Sequence, residues 1–299
     1  MPWFKGNTHA HTTNSDGDSS PDVVVAWYEA HGYDFLALSD HNVLTPPKLD
    51  RPVSLTMLPA EELTLPLSVH VNGLGLTSRI LPMEPPLNLS TRDSKRWLVR
   101  AAIAAIEAQG ALAHVNHPNY NWALNVEILE AVSGMRYLEV FNGHPAAENE
   151  GDKRHAGAER QWDHLLAAGK LIYAMATDDA HHYKRDHPIY ANPGRGWIWV
   201  QAADARPESI LGAMHAGQFY ASTGITLAGY EIRGRELCVV LDDELAAIEL
   251  MGSGGRVLEH EDGCEARFTR PSGEPYVRVR VTGQGNRKAW LQPLMMSAS

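Results

Sequence analysis

Residues 91–118 read TRDSKRWLVRAAIAAIEAQGALAHVNHP, and this stretch sets the fold class. Apolar residues at Trp97, Leu98, Ala101, Ala105 and Ala108 recur at helical spacing, with Gly110 as a stop. The chain then switches to ALAHVNHP, a short apolar run ending on polar residues, which reads as a strand with His117 at its exit. Upstream, WFKGNTHAHT reads as a strand and SPDVVVAWYEAHG as a helix, with Ser20 able to cap, Pro21 in the first turn and Gly32 as terminator. YDFLALSDHN, SLTMLPAEELT and LSVHVNGLGL follow as strands. Downstream come helix NWALNVEILEAVSG, strand RYLEVFNG, helix EGDKRHAGAERQWDHLLAAGK and strand LIYAMATDDAHH. Strand RGWIWVQA and helix PESILGAMHAGQ close the series. Strand–helix alternation of this length implies an α/β fold with a parallel sheet or barrel.

From about residue 221 the pattern changes to short alternating strands broken by glycine and charged turns. Residues 1–220 are therefore expected to form the barrel, and 221–299 a small antiparallel β domain resembling a β-sandwich.

Bulk composition narrows the function classes. The 299 residues are 44% hydrophobic and 21% charged, with a formal net charge of −10. That suits one large domain, or one large and one small, with a real core. The acidic balance argues against general binding of nucleic acids or anionic membranes. Cys238 and Cys264 are the only cysteines, so no disulfide framework is implied. No leader-like segment and no apolar run of about 18 residues is evident. The expectation is a cytoplasmic enzyme acting on a small molecule; nothing in the sequence sets its oligomeric state.

The histidines carry the chemistry. His9, His11 and Asp16 fall at the end of the first strand, His41 ends the second, and Glu61 and Glu62 end the third. His70 lies in the fourth, His117 ends the fifth, and Asp178, Asp179 and His181 end the seventh. In α/β barrels the C-terminal strand ends converge on one face, where active sites are built. Alternate strand residues share a face, so His9 with His11, and Asp179 with His181, can each grip one ion. Imidazoles and carboxylates together suit Zn²⁺, Mn²⁺ or iron.

With its motifs NTHAHTTNSDGD, LALSDHN, PAEELT, VHVNGLG, VNHPNY, LEVFNG and TDDAHH in this order, the chain resembles the PHP (polymerase and histidinol phosphatase) metal-dependent hydrolases. The likeness continues through GRGWIWVQA and SILGAMHAGQFYASTG. The ending YVRVRVTGQGNRKAWLQPL is similar to the β domain appended in the branch called CehA/McbA-type. The resemblance implies a distorted seven-stranded β/α barrel, similar to a TIM barrel, holding two or three divalent metal ions. It further implies that His9, His11, Glu62 and Asp179 serve one metal, and that Glu62 bridges to a second held by His70 and His117. A third would take Asp16, His41 and His181. Ala60 stands where the family pattern has glycine, and TDDAH where it often has GSDAH; the alignment selects Glu62 over Glu61 and Asp179 over Asp178.

Divalent ions about 3.5–4 Å apart lower the pKa of a shared water and neutralise charge developing on a phosphoryl group. Glu62, His117, Asp179 and His181 are the expected catalytic residues. Arg195 is expected to clamp a phosphate and Asn142 to face the substrate. Glu139 is expected to orient a ligand histidine from behind, Asp178 to play a supporting role, and His182, Lys184 and Arg185 to lie near the mouth. Hydrolysis of a small phosphorylated metabolite or nucleotide is the leading expectation. The alternatives are attack on a carbamate, carboxyl ester or amide, which would call for an apolar pocket, and a non-catalytic, metal-stabilised binding module.

Overall fold

The structure is a computed structural model and describes residues 1–45, 49, 51–242 and 245–296. Its first half is built on seven strands: β1 (Trp3–Asn7), β2 (Phe35–Leu38), β3 (Thr56–Leu65), β4 (Val69–Leu74), β5 (Leu112–Val115), β6 (Tyr137–Asn142) and β7 (Tyr173–Thr177). β1, β2 and β3 pair in parallel, as do β5, β6 and β7. β4 departs from the parallel expectation, running antiparallel to both β3 and β5. Only Pro66–Ser68 separates β3 from β4, too short for a crossover helix, so the chain folds straight back with Leu67 at φ 64°. Beyond β1 and β7 the edges meet in a parallel bridge between Ala10 and Ala180, which closes a distorted barrel at one end.

The helices cover this sheet. In α2 (Thr91–Glu107) the Ser90 hydroxyl accepts the Asp93 N–H, the expected type of cap. Its buried stripe is Leu98, Val99, Ala102, Ile103 and Ile106, one position off the alanine-rich stripe read from the sequence. The larger valine and isoleucine side chains gain more from burial than the alanines do. α1 (Pro21–Ala30) starts without a side-chain bond from Ser20 and ends before Gly32, which adopts a left-handed φ of 69°. α3 (Val126–Glu130) and α4 (Ala158–Ala167) are shorter than their sequence patterns suggested. Asn125 caps α3, and Asn121 and Trp122 before it are left-handed. Ahead of α4 the Asp152 carboxylate captures the N–H groups of Arg154 and His155, favouring a turn over helix.

β8 (Trp197–Gln201) lies antiparallel to β1 on its outer edge, and α5 (Pro207–His215) follows. β9 (Phe219–Ser222) spans the expected domain boundary and pairs with β8 on one side. The remaining strands are β10 (Leu227–Arg233), β11 (Glu236–Leu241), β12 (Ala246–Gly252), β13 (Arg256–Gly263), β14 (Glu265–Thr269), β15 (Tyr276–Thr282), β16 (Lys288–Leu291) and β17 (Leu294–Met295). β16 pairs with the free edge of β9, so β13, β12, β15 and β16 extend the barrel sheet without a break. β10, β11 and β14 form a separate sheet. Leu237, Val239 and Phe268 from it pack with Ile248, Leu250, Val279 and Val281 in a second core. Arg278, 1% exposed, ties this domain to α4 through Asp163 at 2.8 Å and Glu159 at 2.7 Å. Among the described residues no helix is long and apolar enough to cross a membrane, and both cysteines are free.

Candidate metal centre

The barrel closure itself aims four side chains inward. The His11 N–H donates to the Ala180 carbonyl and the Asp179 N–H to the His9 carbonyl, both at 2.9 Å. With Ala10 and Ala180 paired, the flanking His9, His11, Asp179 and His181 turn to the cavity side. Asp179 sits at φ 49° and His117 at φ 20°, conformations that non-glycine residues adopt at a cost. Both backbones are tied there, Asp179 by its N–H to the His9 carbonyl and His117 by its N–H to Glu139 at 2.6 Å, while the Asn142 amide donates to the Asp179 carboxylate at 3.1 Å.

Glu62 is the hub. His9, His70 and His117 approach its Oε1 at 3.3, 3.1 and 3.4 Å, and His11 and His41 its Oε2 at 3.4 and 2.8 Å. Burial pushes this carboxyl up, but the imidazoles outweigh it and hold it well below the usual carboxylate range. Glu61, next along β3, faces the other way and accepts the Ile80 N–H at 2.6 Å.

Asp16 gathers the outer group. Its carboxylate lies 3.2 Å from His181 and 3.5 Å from His41. The loop carrying it hangs on Asp40, which accepts from the Thr12 N–H and hydroxyl at 2.7 and 2.8 Å and from the Ser15 hydroxyl at 2.7 Å. Nothing in LALSDHN distinguished Asp40 as this anchor.

All nine expected ligands come together. They form overlapping groups with donor atoms within 4.8 Å of one another: His11 with Asp16, His41 and His181; His9 with His117 and Asp179; His9 with His11 and Glu62; and His41 with Glu62 and His70. His11 thus joins the outer group as well as the inner one, and His70 and His117, expected on one ion, fall in different groups. Divalent cations fit this donor set. His9 Nε2 and His11 Nε2 are buried with no hydrogen-bond partner, each an unmet polar group that would cost about 1–3 kcal/mol. Burial and the stacked ring of His181 at 4.1 Å push His11 down, toward the neutral imidazole that ligation needs.

Behind the cluster, Glu139 accepts from His9 Nδ1 and the Thr177 hydroxyl, both at 2.7 Å, leaving His9 Nε2 for the cavity. Such a carboxylate fixes a ligand histidine's tautomer and orientation. The two residues expected to contact substrate are engaged within the chain. Asn142 is 1% exposed, and its amide is spent on Glu139, Asp179 and the His144 N–H. Arg195 is turned away from the cavity: it donates to the carbonyls of Gly143 and His187 and to Asn192. Asp178 accepts from the Tyr28 hydroxyl and from the N–H groups of Arg195 and Gly196, pinning the loop before β8. Both loop carbonyls and peptide N–H groups are invisible to residue-type reading, which explains the difference.

The cavity over the cluster has a volume of about 270 Å³. Besides the metal-type residues its walls are Tyr120, His144 and His182. His182 was expected near the mouth, whereas Lys184 and Arg185 are not among the lining residues. Tyr120 and His144 were not singled out; the available signal was their place just after the strand-end motifs VNHP and VFNG.

No known family profile matches the chain, and neither does any curated protein. Solved structures do. A two-domain protein from Bacteroides vulgatus, described as containing a predicted PHP-like metal-dependent phosphoesterase, superposes with a TM-score of 0.52 at 17% identity, covering 99% of this chain and 95% of that one. An amidohydrolase from Chromobacterium violaceum gives a TM-score of 0.39 at 15% identity, covering 63% of this chain and 93% of that one. The fold is therefore that of a PHP-like barrel with an appended β domain.

Proposed function

We propose that the chain is a metal-dependent phosphoesterase that hydrolyses a small phosphorylated metabolite or nucleotide. The observation that carries this reading is the buried Glu62 carboxylate ringed by five imidazoles, with Asp179 and Asp16 completing the donor set. Nitrogen and oxygen donors in this mixture suit Zn²⁺, Mn²⁺ or Fe²⁺. Clustered divalent ions, when bound, make water a nucleophile near neutral pH and draw charge off a phosphoryl group.

The chain's own residues do the rest. Glu62, His9, His11, His70, His117 and Asp179 would hold two ions, and Asp16, His41 and His181 a third. Glu139 keeps His9 presenting Nε2, and Asn142 orients the Asp179 carboxylate. The buried floor strengthens every charge interaction on it by excluding water. The cavity's small volume supports a small molecule over a nucleic-acid strand. Placement within the CehA/McbA-type branch rests on the C-terminal domain and is part of the same proposal.

The test is a panel of p-nitrophenyl phosphate, bis-p-nitrophenyl phosphate, nucleotides and an aryl carbamate, run with Mn²⁺, Zn²⁺ or EDTA. Metal-dependent release from a phosphate ester is expected. Turnover of the carbamate alone would reject the reading.

A further inference from the structure

His144 takes no part in the metal-type groups, yet it lines the cavity above them. Its ring stands edge-on to His181 at 5.6 Å and to Tyr120 at 6.2 Å. The Ala146 N–H donates to its Nδ1 at 3.1 Å. An Nδ1 that accepts cannot carry a proton, so the ring hydrogen sits on Nε2. That edge has no partner within the chain among the bonds described for His144. The ring is thus a donor of assigned tautomer on the cavity wall, with no partner described for its Nε2–H.

The loop beneath it is built to stay in place. The His144 N–H donates to Asn142 Oδ1 at 2.8 Å, and the Asn149 amide to the Asn142 carbonyl at 2.8 Å. Arg195 Nη1 donates to the Gly143 carbonyl at 2.9 Å. A Cβ at position 143 would stand 2.8 Å from the Asp178 carbonyl oxygen, so only glycine lets the loop lie this close. The same Asn142 amide bonds Asp179, so His144 is registered against the metal-type cluster through one side chain.

We infer that His144 is a substrate-contacting catalytic residue whose Nε2–H donates to the leaving-group oxygen of the phosphate ester. This rests on the phosphoesterase reading. In that reaction water forms the new P–O bond, and the ester P–O bond breaks with its electron pair going to the leaving oxygen. A proton originating from the water ends on that oxygen, giving an alcohol and inorganic phosphate. Negative charge grows on the leaving oxygen before the proton arrives, and a preorganised donor aimed there stabilises it.

The experiment compares wild type, His144→Ala and His144→Gln, each loaded with Mn²⁺, on phenyl phosphate and p-nitrophenyl phosphate, with bound metal counted in each. A nitrophenolate needs little help to leave; a phenolate needs much. For His144→Ala the expected loss in kcat is about 10²-fold on phenyl phosphate and markedly smaller on p-nitrophenyl phosphate, with metal content unchanged. Gln retains an N–H donor and is expected to recover part of the loss. Equal losses on both esters, no loss, or a lost metal equivalent would overturn the role of His144 while leaving the phosphoesterase reading intact. A wild type inactive on both esters, but active on a non-phosphate substrate, would overturn both.

Discussion

Asp40 accepts the Thr12 N–H at 2.7 Å, and through it the loop bearing Asp16 is fixed against the second strand. The Thr12, Ser15 and Thr45 hydroxyls converge on the same buried carboxylate. Replacing Asp40 by Ala strands these donors and frees the loop. The expected result is a loss of one metal equivalent and a destabilisation of about 2–3 kcal/mol. Metal analysis and urea unfolding of the purified variant check both halves.

Asp16 itself gives a narrower prediction. It is more than half exposed, and its closest cluster partners are His41 and His181. Asp16→Ala is therefore expected to empty the outer position alone. His11 contributes to both groups, so His11→Ala is expected to lose more than one equivalent. Equal stoichiometry for the two variants would show that the outer and inner groups are not separate sites.

Glu62→Gln keeps the shape of the hub and removes its charge. Five imidazoles face this carboxylate, so without its charge the donor set would hold divalent ions less tightly. A drop in kcat of about 10³-fold or more is expected, with metal content reduced. Glu61→Gln is the control, because that side chain accepts the Ile80 N–H away from the cluster. Its activity is expected to stay within a few-fold of wild type.

That nine distant side chains would meet was legible because the information is carried by residue type and parity. Histidine, aspartate and glutamate at strand ends with period two need only a barrel to bring them together. The rest depended on the backbone. Arg195 was read as a phosphate clamp because its charge is visible in sequence, whereas the carbonyls of Gly143 and His187 that occupy it are not. Asp40 carries no such signal, because its partners are short hydroxyls on three different positions. β4 was read with the parallel set because its apolar run says nothing about direction; the three-residue turn before it decides. The stripe on α2 shifted because side-chain volume, and not spacing alone, chooses which face is buried.

Arg278 offers a test at the junction of the two cores, outside the metal-type groups. It is 1% exposed, bonds Asp163 and Glu159, and lies over the Trp162 ring at 4.6 Å. Removing one partner leaves the other charge buried, so Arg278→Ala is expected to cost about 3–5 kcal/mol. Burial pushes the Glu159 carboxyl up, but Arg278 and Arg280 outweigh it and hold it below its ordinary value. A carboxyl depressed in the folded state binds protons more readily when unfolded. Its stabilisation is therefore complete above the unfolded value, about 4.3, and is lost as pH falls through the folded one. Unfolding free energies of wild type and Glu159→Gln, measured in urea at pH 7 and near pH 3.5, are expected to differ more at pH 7 and to draw together in acid. A gap that stays constant across that interval would show that the ion pair contributes through packing, not charge.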